Sequence, residues 1–209
     1  MNEEIKYGEI KVRKNIFPRD ARKLVKKESV GILLSQCKVS DKTKAILDEK
    51  NIVLYEGVEP NEVVKLKEEI KELLHEKNEN EREWWFVLDL NFYTIENETF
   101  QIEVSESIYE NLAHAGLNAV VNYSEHNLII EGENYKIYAS KLNFENRLKL
   151  LLLVENERQN ELEKIFKTLD EEPTLKEVRE HFKYISTLTT LYSQFKNEKN
   201  AYFSYEWLN

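Results

Sequence analysis

The stretch from Val30 to Gly57 settles the fold class. It runs Val30-Gly-Ile-Leu-Leu-Ser35, then Ser40-Asp-Lys-Thr-Lys-Ala-Ile-Leu-Asp-Glu-Lys50, then Ile52-Val-Leu-Tyr55, closed by Gly57. The two apolar runs follow charged stretches, are too short for helices and predict buried strands. Ser40 suits a helix N-cap, because its hydroxyl can accept from an unpaired backbone N–H of the first turn, so a helix is expected from Asp41 to about Lys50.

Upstream, residues 5–13 (Ile-Lys-Tyr-Gly-Glu-Ile-Lys-Val-Arg) alternate, with Ile10 and Val12 on one face, and predict a strand. Pro18 suits the first turn of a helix running to about Lys27. Pro60 opens a further helix with Val63, Val64, Leu66, Ile70, Leu73 and Leu74 at helical spacing. Residues 1–77 therefore read β-α-β-α-β-α, which implies a parallel or mixed sheet flanked by helices. The charged run 76–83 predicts a linker. Beyond it, residues 84–140 read as a small α+β region. Its strands are Trp84 to Phe92 and Phe100 to Val104, its helix Ser105 to about Ala115 with Gly116 as the C′ residue, and its further strands Ala119 to Tyr123, Asn127 to Glu131 and Tyr135 to Ala139. Turns are expected at Glu96–Glu98, Glu125-His126 and Gly132-Glu133.

Residues 141–209 read as a helical hairpin plus an aromatic tail. Leu142 to about Leu169 is one helix. Pro173 and Thr174 interrupt and restart the pattern, and Leu175, Val178, Phe182, Ile185, Leu188, Tyr192 and Phe195 form a narrow apolar seam. The seam packs on the protein's own body or pairs two subunits. Tyr202-Phe-Ser-Tyr-Glu-Trp207 is too aromatic to hang in water and is expected to dock on the body or a partner. The fold class is thus α/β in a mixed α+β arrangement: a sheet flanked by helices, with a C-terminal helical hairpin.

Composition narrows the setting. With 11 Tyr, 9 Phe and 3 Trp in 209 residues, the chain has the apolar material for a core and is no disordered tail. One Cys excludes an internal disulfide and a thiolate metal cage. The longest apolar run, Leu150 to Val154, falls far short of a membrane span, and the first residues lack the apolar core of a signal peptide. A cytoplasmic protein that does not enter membranes is expected. Phosphate-binding Gly-rich loops, HExxH, GxSxG and calcium-loop motifs are absent, and the four His are scattered in sequence. These absences count against P-loop hydrolysis, zinc hydrolysis and serine hydrolysis. Cys37, after a buried strand, reads as a small hydrophobe.

Charge is unevenly spread. Residues 1–50 carry 13 Lys/Arg against 8 acids, whereas residues 51–140 carry 6 against 19. A net charge of −9 argues against a general nucleic-acid binder, but the basic N-terminal third makes a local anion-binding face or one half of a self-complementary contact. On the helix after Pro18, Arg19, Arg22, Lys23, Lys26 and Lys27 share one face, with Arg13 just upstream. Such a face suits phosphates. Glu9 and Lys11, two apart on a strand, point the same way. A carboxylate that ligates Mg²⁺ beside a Lys that stabilises charge is a constellation suited to phosphodiester hydrolysis.

With these residues in hand, Glu9-Ile10-Lys11, the basic helix, Val30–Ser35, the helix from Ser40 and Ile52–Tyr55 with Gly57 resemble the second half of the restriction-endonuclease-like PD-(D/E)xK core. Archaeal Holliday-junction resolvases and Mrr-type nucleases share that layout. The resemblance covers roughly residues 5–75 and implies a Mg²⁺-dependent endonuclease with Glu9 as metal ligand and Lys11 as catalytic residue. Family members complete the site with an Asp on an earlier strand. Only eight residues precede Glu9 here and none is Asp; Asp89 and Glu103 are candidates for the further metal ligand.

The readings to be weighed are a nuclease-like DNA-binding protein, either catalytic with Mg²⁺ or a binding-only relative, and a non-catalytic homodimer built on the acidic middle, the helical seam and the tail. A small-molecule enzyme ranks last. Its crevice would lie at the carboxyl ends of the parallel strands, near Ser35–Lys38 and Glu56–Gly57.

Overall fold

The computed structural model describes residues 6–205 apart from 28, 60, 61, 63, 64, 71, 73–81, 97, 131 and 170–172. Most of the expected linker, the ends of the helix after Pro60 and Trp207 lie outside the described residues. The chain divides into two compact units, the first ending at Asp89 and the second running from Leu90 to Tyr205. The fold is mixed α+β, and no helix of the described residues is long and apolar enough to cross a membrane.

The first unit holds β1 (Lys6–Arg13), α1 (Pro18–Leu24), β2 (Val30–Ser35), α2 (Asp41–Asp48), β3 (Val53–Glu56) and the first part of β4 (Arg82–Thr94). The strands lie in the order β3-β2-β1-β4 and all pair in parallel. Ser40 caps α2 as its sequence predicts, its Oγ accepting from Thr43 N at 3.3 Å. Glu56 ties the end of β3 to the start of α2 by accepting from Val39 N at 2.9 Å and Lys44 Nζ at 2.7 Å. α1 is shorter than expected, seven residues, and Lys26 and Lys27 lie in the turn beyond it.

Neighbours in parallel register point their side chains to the same side of the sheet. Lys11 stands beside Leu33 and Val87, and Ile10 beside Ile32 and Phe86. Leu33 packs with Ala21 and Leu24 of α1 and Leu47 of α2, so those two helices cover the Lys11 face. Residues 65–70 are helical, and Lys67 lies over the Phe86 ring at 4.8 Å, on the Ile10 face. The sheet is therefore wound with helices on both sides. A bulge opposite Glu9 and Ile10 turns Val30 onto the same side as Leu33, where it joins the core beneath α1.

The second unit holds the end of β4, β5 (Thr99–Ser105), α3 (Glu106–His114), α4 (Leu117–Val120), β6 (Tyr123–Ile130), β7 (Glu133–Lys141), α5 (Phe144–Leu169), α6 (Leu175–Lys196) and β8 (Asn200–Ser204). The expected strand from Ala119 to Tyr123 is a correction: Leu117–Val120 is a helical turn. Gly116, at φ 92°, ends α3 in the left-handed region that favours glycine, and Leu117 is then fully buried. Glu125 and His126 are likewise not a turn but lie inside β6, paired with Tyr138 and Ile137.

The aromatic tail docks on the body. β8 is antiparallel to β4 through Asn91–Thr94 and to β7 through Ser140 and Lys141. Phe203 packs against Phe92 (centroids 4.8 Å) and Phe195 (5.0 Å), and Tyr205 stacks on Tyr109 at 4.6 Å. Arg147 at the start of α5 donates to the carbonyls of Phe195 and Asn197 at 2.7 and 2.9 Å and also to Asn200 O, which fixes the end of α6 to β8. Contacts between residues 147 and 195, 157 and 184, and 161 and 181 make α5 and α6 an antiparallel hairpin. The buried stripe of α6 is Tyr184, Leu188, Leu191 and Phe195. Leu175 and Phe182, assigned to the seam by spacing, are exposed, because the inward face is rotated from the one that spacing suggested.

Candidate functional site: a buried ionic cluster beside a basic surface

Glu9, Lys11 and Asp89 come together. The β1–β4 register pairs Val12 with Leu88, so the next step brings Asp89 beside Arg13. Lys11 Nζ lies 3.7 Å from Glu9 Oε2 and 3.6 Å from Asp89 Oδ1. The Arg13 guanidinium pairs through Nε with the other oxygen of Asp89. The side chains of Lys11 and Asp89 are 0% exposed and that of Arg13 2%, while Glu9 keeps 24%. Ser29 Oγ donates to Glu9 Oε1 at 2.7 Å, and Lys27 Nζ stands 4.0 Å from Glu9 Oε2. Charges held this far from water persist only when matched, and here acids and bases alternate.

Asp20 of α1, also buried, accepts from Phe17 N at 3.3 Å. Burial pushes its carboxyl above the ordinary range, and the charges of Arg13, Arg19 and Lys23 oppose that rise.

A Mg²⁺ ion takes hard oxygens, and Glu9 and Asp89 supply them. As placed, however, the Asp89 carboxylate holds Arg13 on one oxygen and faces Lys11 with the other, and Glu9 holds Ser29 and faces Lys11 and Lys27. The Lys11 ammonium lies within ion-pair distance of both carboxylates. Glu103 is an exposed residue of β5 in the second unit. Among the described residues no three Asp, Glu, His or Cys form a group that could hold a metal ion. The cluster as it stands does not fit Mg²⁺.

Of the basic residues, Arg22, Lys23 and Lys26 are exposed, and Arg19 and Lys27 are half-buried. Arg13, expected at this surface, belongs instead to the buried cluster. Cys37 is half-buried, and burial pushes its thiol up while the charge of Lys14 opposes. His126 is held within β6 by Ser124 Oγ at 3.0 Å and Ala139 O at 3.2 Å. His181 Nδ1 meets the buried Glu161 at 2.5 Å. Spacing did not reveal that pair, nor Ser29 and Arg13 as partners of the acids. Each is made by strand or helix pairing across the chain, and only the i,i+2 relation of Glu9 and Lys11 is local. No family model matches the sequence, and neither a curated protein nor a solved structure matches it.

Proposed function

We propose that the protein is a nuclease-like DNA-binding protein that has lost Mg²⁺-dependent cleavage. The observation that carries this reading is the fully buried Asp89 carboxylate, held by Arg13 on one oxygen and facing Lys11 with the other. The Glu-x-Lys pair and a further acid, which the PD-(D/E)xK resemblance implies for a metal site, support the nuclease-like part of the reading, and the engagement of that acid by Arg13 and Lys11 supports the loss of cleavage. The neighbouring surface of Arg22, Lys23 and Lys26 holds the phosphate backbone.

The test is incubation of the protein with labelled duplex and branched DNA in Mg²⁺, read by anisotropy and then on a gel. The reading expects bound DNA that remains intact, with wild type and Glu9→Ala leaving it equally uncut. Mg²⁺-dependent cleavage that disappears in Glu9→Ala would overturn the loss of catalysis and establish a nuclease. Absence of binding at low salt would overturn the DNA reading itself.

A second reading, a homodimer, is favoured by large apolar residues left exposed on the hairpin, among them Phe166, Leu169, Leu175 and Phe182. Size-exclusion with light scattering separates it from a monomer.

A further inference from the structure

The order β3-β2-β1-β4, all parallel, reverses its winding between β1 and β4. The connections from β1 to β2 and from β2 to β3 pass over the Lys11 face, whereas the helix at 65–70, between β3 and β4, lies on the other. In open sheets of this kind ligands bind outside the carboxyl ends of the strands at the point of reversal.

The carboxyl ends of β1, which borders that reversal, and of its neighbour β2 carry residues unusual for a strand end. Arg13, Lys14 and Asn15 leave β1 in succession, and all three are buried, at 2%, 7% and 5%. Asn15 Nδ2 is buried without a hydrogen-bond partner, and so is Gln36 Oε1 at the end of β2. The two stretches run side by side, since Gln36 N donates to Arg13 O and Cys37 N to Lys14 O, both at 3.1 Å. A buried polar atom without a partner carries a cost that a native structure normally avoids. Rotating the Gln36 carboxamide by half a turn presents its amino group in place of the oxygen. The first βα connection then offers the Lys14 ammonium and two amide donors, next to the Arg13 guanidinium that Asp89 already holds. Such a donor set matches the oxygens of a phosphate group.

We propose that the carboxyl ends of β1 and β2 form a binding site for a small phosphate-bearing ligand, with Asn15 and Gln36 donating to its oxygens and Lys14 supplying the charge. The site is separate from the DNA surface of α1 and does not depend on that reading. The phosphate is free or carried by a nucleotide, and the three small probes tell these apart.

The experiment is calorimetric titration of the full chain with inorganic phosphate, AMP and ATP, alongside DNA anisotropy. Wild type is expected to bind at least one of the three small probes. Asn15→Asp and Gln36→Glu, near-isosteric changes that put a carboxylate against the phosphate, are expected to weaken that binding about 10-fold or more. Lys23→Glu/Lys26→Glu is expected to leave it unchanged. Two variants are used because Asn15 is buried; a folded Gln36→Glu decides the matter if Asn15→Asp does not fold. Failure of wild type to bind any of the three, or unchanged affinity in a folded Gln36→Glu, overturns the proposal. Small-probe binding lost in Lys23→Glu/Lys26→Glu overturns it too, because the phosphate would then sit on the DNA surface.

Discussion

Asp89 answers two buried cations at once, Lys11 and Arg13, and neither has water to fall back on. Asp89→Ala should therefore cost about 3–5 kcal/mol of stability in urea unfolding, the usual loss when one member of a buried ionic group is removed. A loss under about 1 kcal/mol would mean that water reaches the cluster. Asp20 should behave differently. Its carboxyl is raised chiefly by burial, so ionising it costs the folded state, and stability is lost as pH rises through its folded value. Asp20→Asn keeps an acceptor for Phe17 N and removes that charge. It should raise Tm near neutral pH, and the gain should vanish once the pH falls below 3.8, the ordinary value for Asp. A lower Tm at neutral pH would show that attraction to Arg13, Arg19 and Lys23 outweighs desolvation. The facing of Glu9 and Lys11 was legible in the sequence because it is a matter of alternation along one strand. That Asp89 would join them rested on a choice between two acids, which only the parallel pairing of β1 with β4 resolves.

Among the elements, local chemistry was the reliable guide. Ser40, Ser105 and Thr174 each cap the helix that follows, accepting from Thr43, Ile108 and Glu177 N respectively. Thr174 does so within a full capping box, with Glu177 Oε2 accepting in return from Thr174 N at 2.8 Å. Thr174→Ala should cost about 1 kcal/mol, measured by chemical unfolding; no change would mean that the hairpin's packing holds the first turn of α6 without its cap. Where the sequence misled, tertiary contacts outweighed propensity. Ala119-Val120-Val121 favours a strand by composition, yet the left-handed Gly116 and the burial of Leu117 close a helical turn there. The inward face of α6 was misjudged because the buried stripe Tyr184, Leu188, Leu191 and Phe195 is rotated from the seam that spacing suggested, which leaves Leu175 and Phe182 exposed. The helix after Pro18 ends at Leu24, so the basic face is shared between α1 and the turn beyond it.

At the scale of the molecule, the β-α-β-α-β-α order of the N-terminal region was readable from alternating short apolar runs and caps. The strand order was not, because periodicity carries no information about neighbours. Nor did the position of β8 between β4 and β7 follow from its aromatic content, which predicted docking without an address. The charge pattern is the global feature that bears on function. On a chain of net charge −9 the proposed phosphate-binding face is a local one, made of the exposed Arg22, Lys23 and Lys26. Anisotropy of labelled duplex and branched DNA at low and moderate salt puts that face to the test. Binding should weaken steeply with salt, because every phosphate neutralised by a Lys or Arg releases counterions. It should weaken again in Lys23→Glu/Lys26→Glu, which neutralises fewer phosphates and flattens the salt dependence. No binding at low salt, or binding indifferent to both the salt and the double variant, would contradict a DNA-binding face on α1.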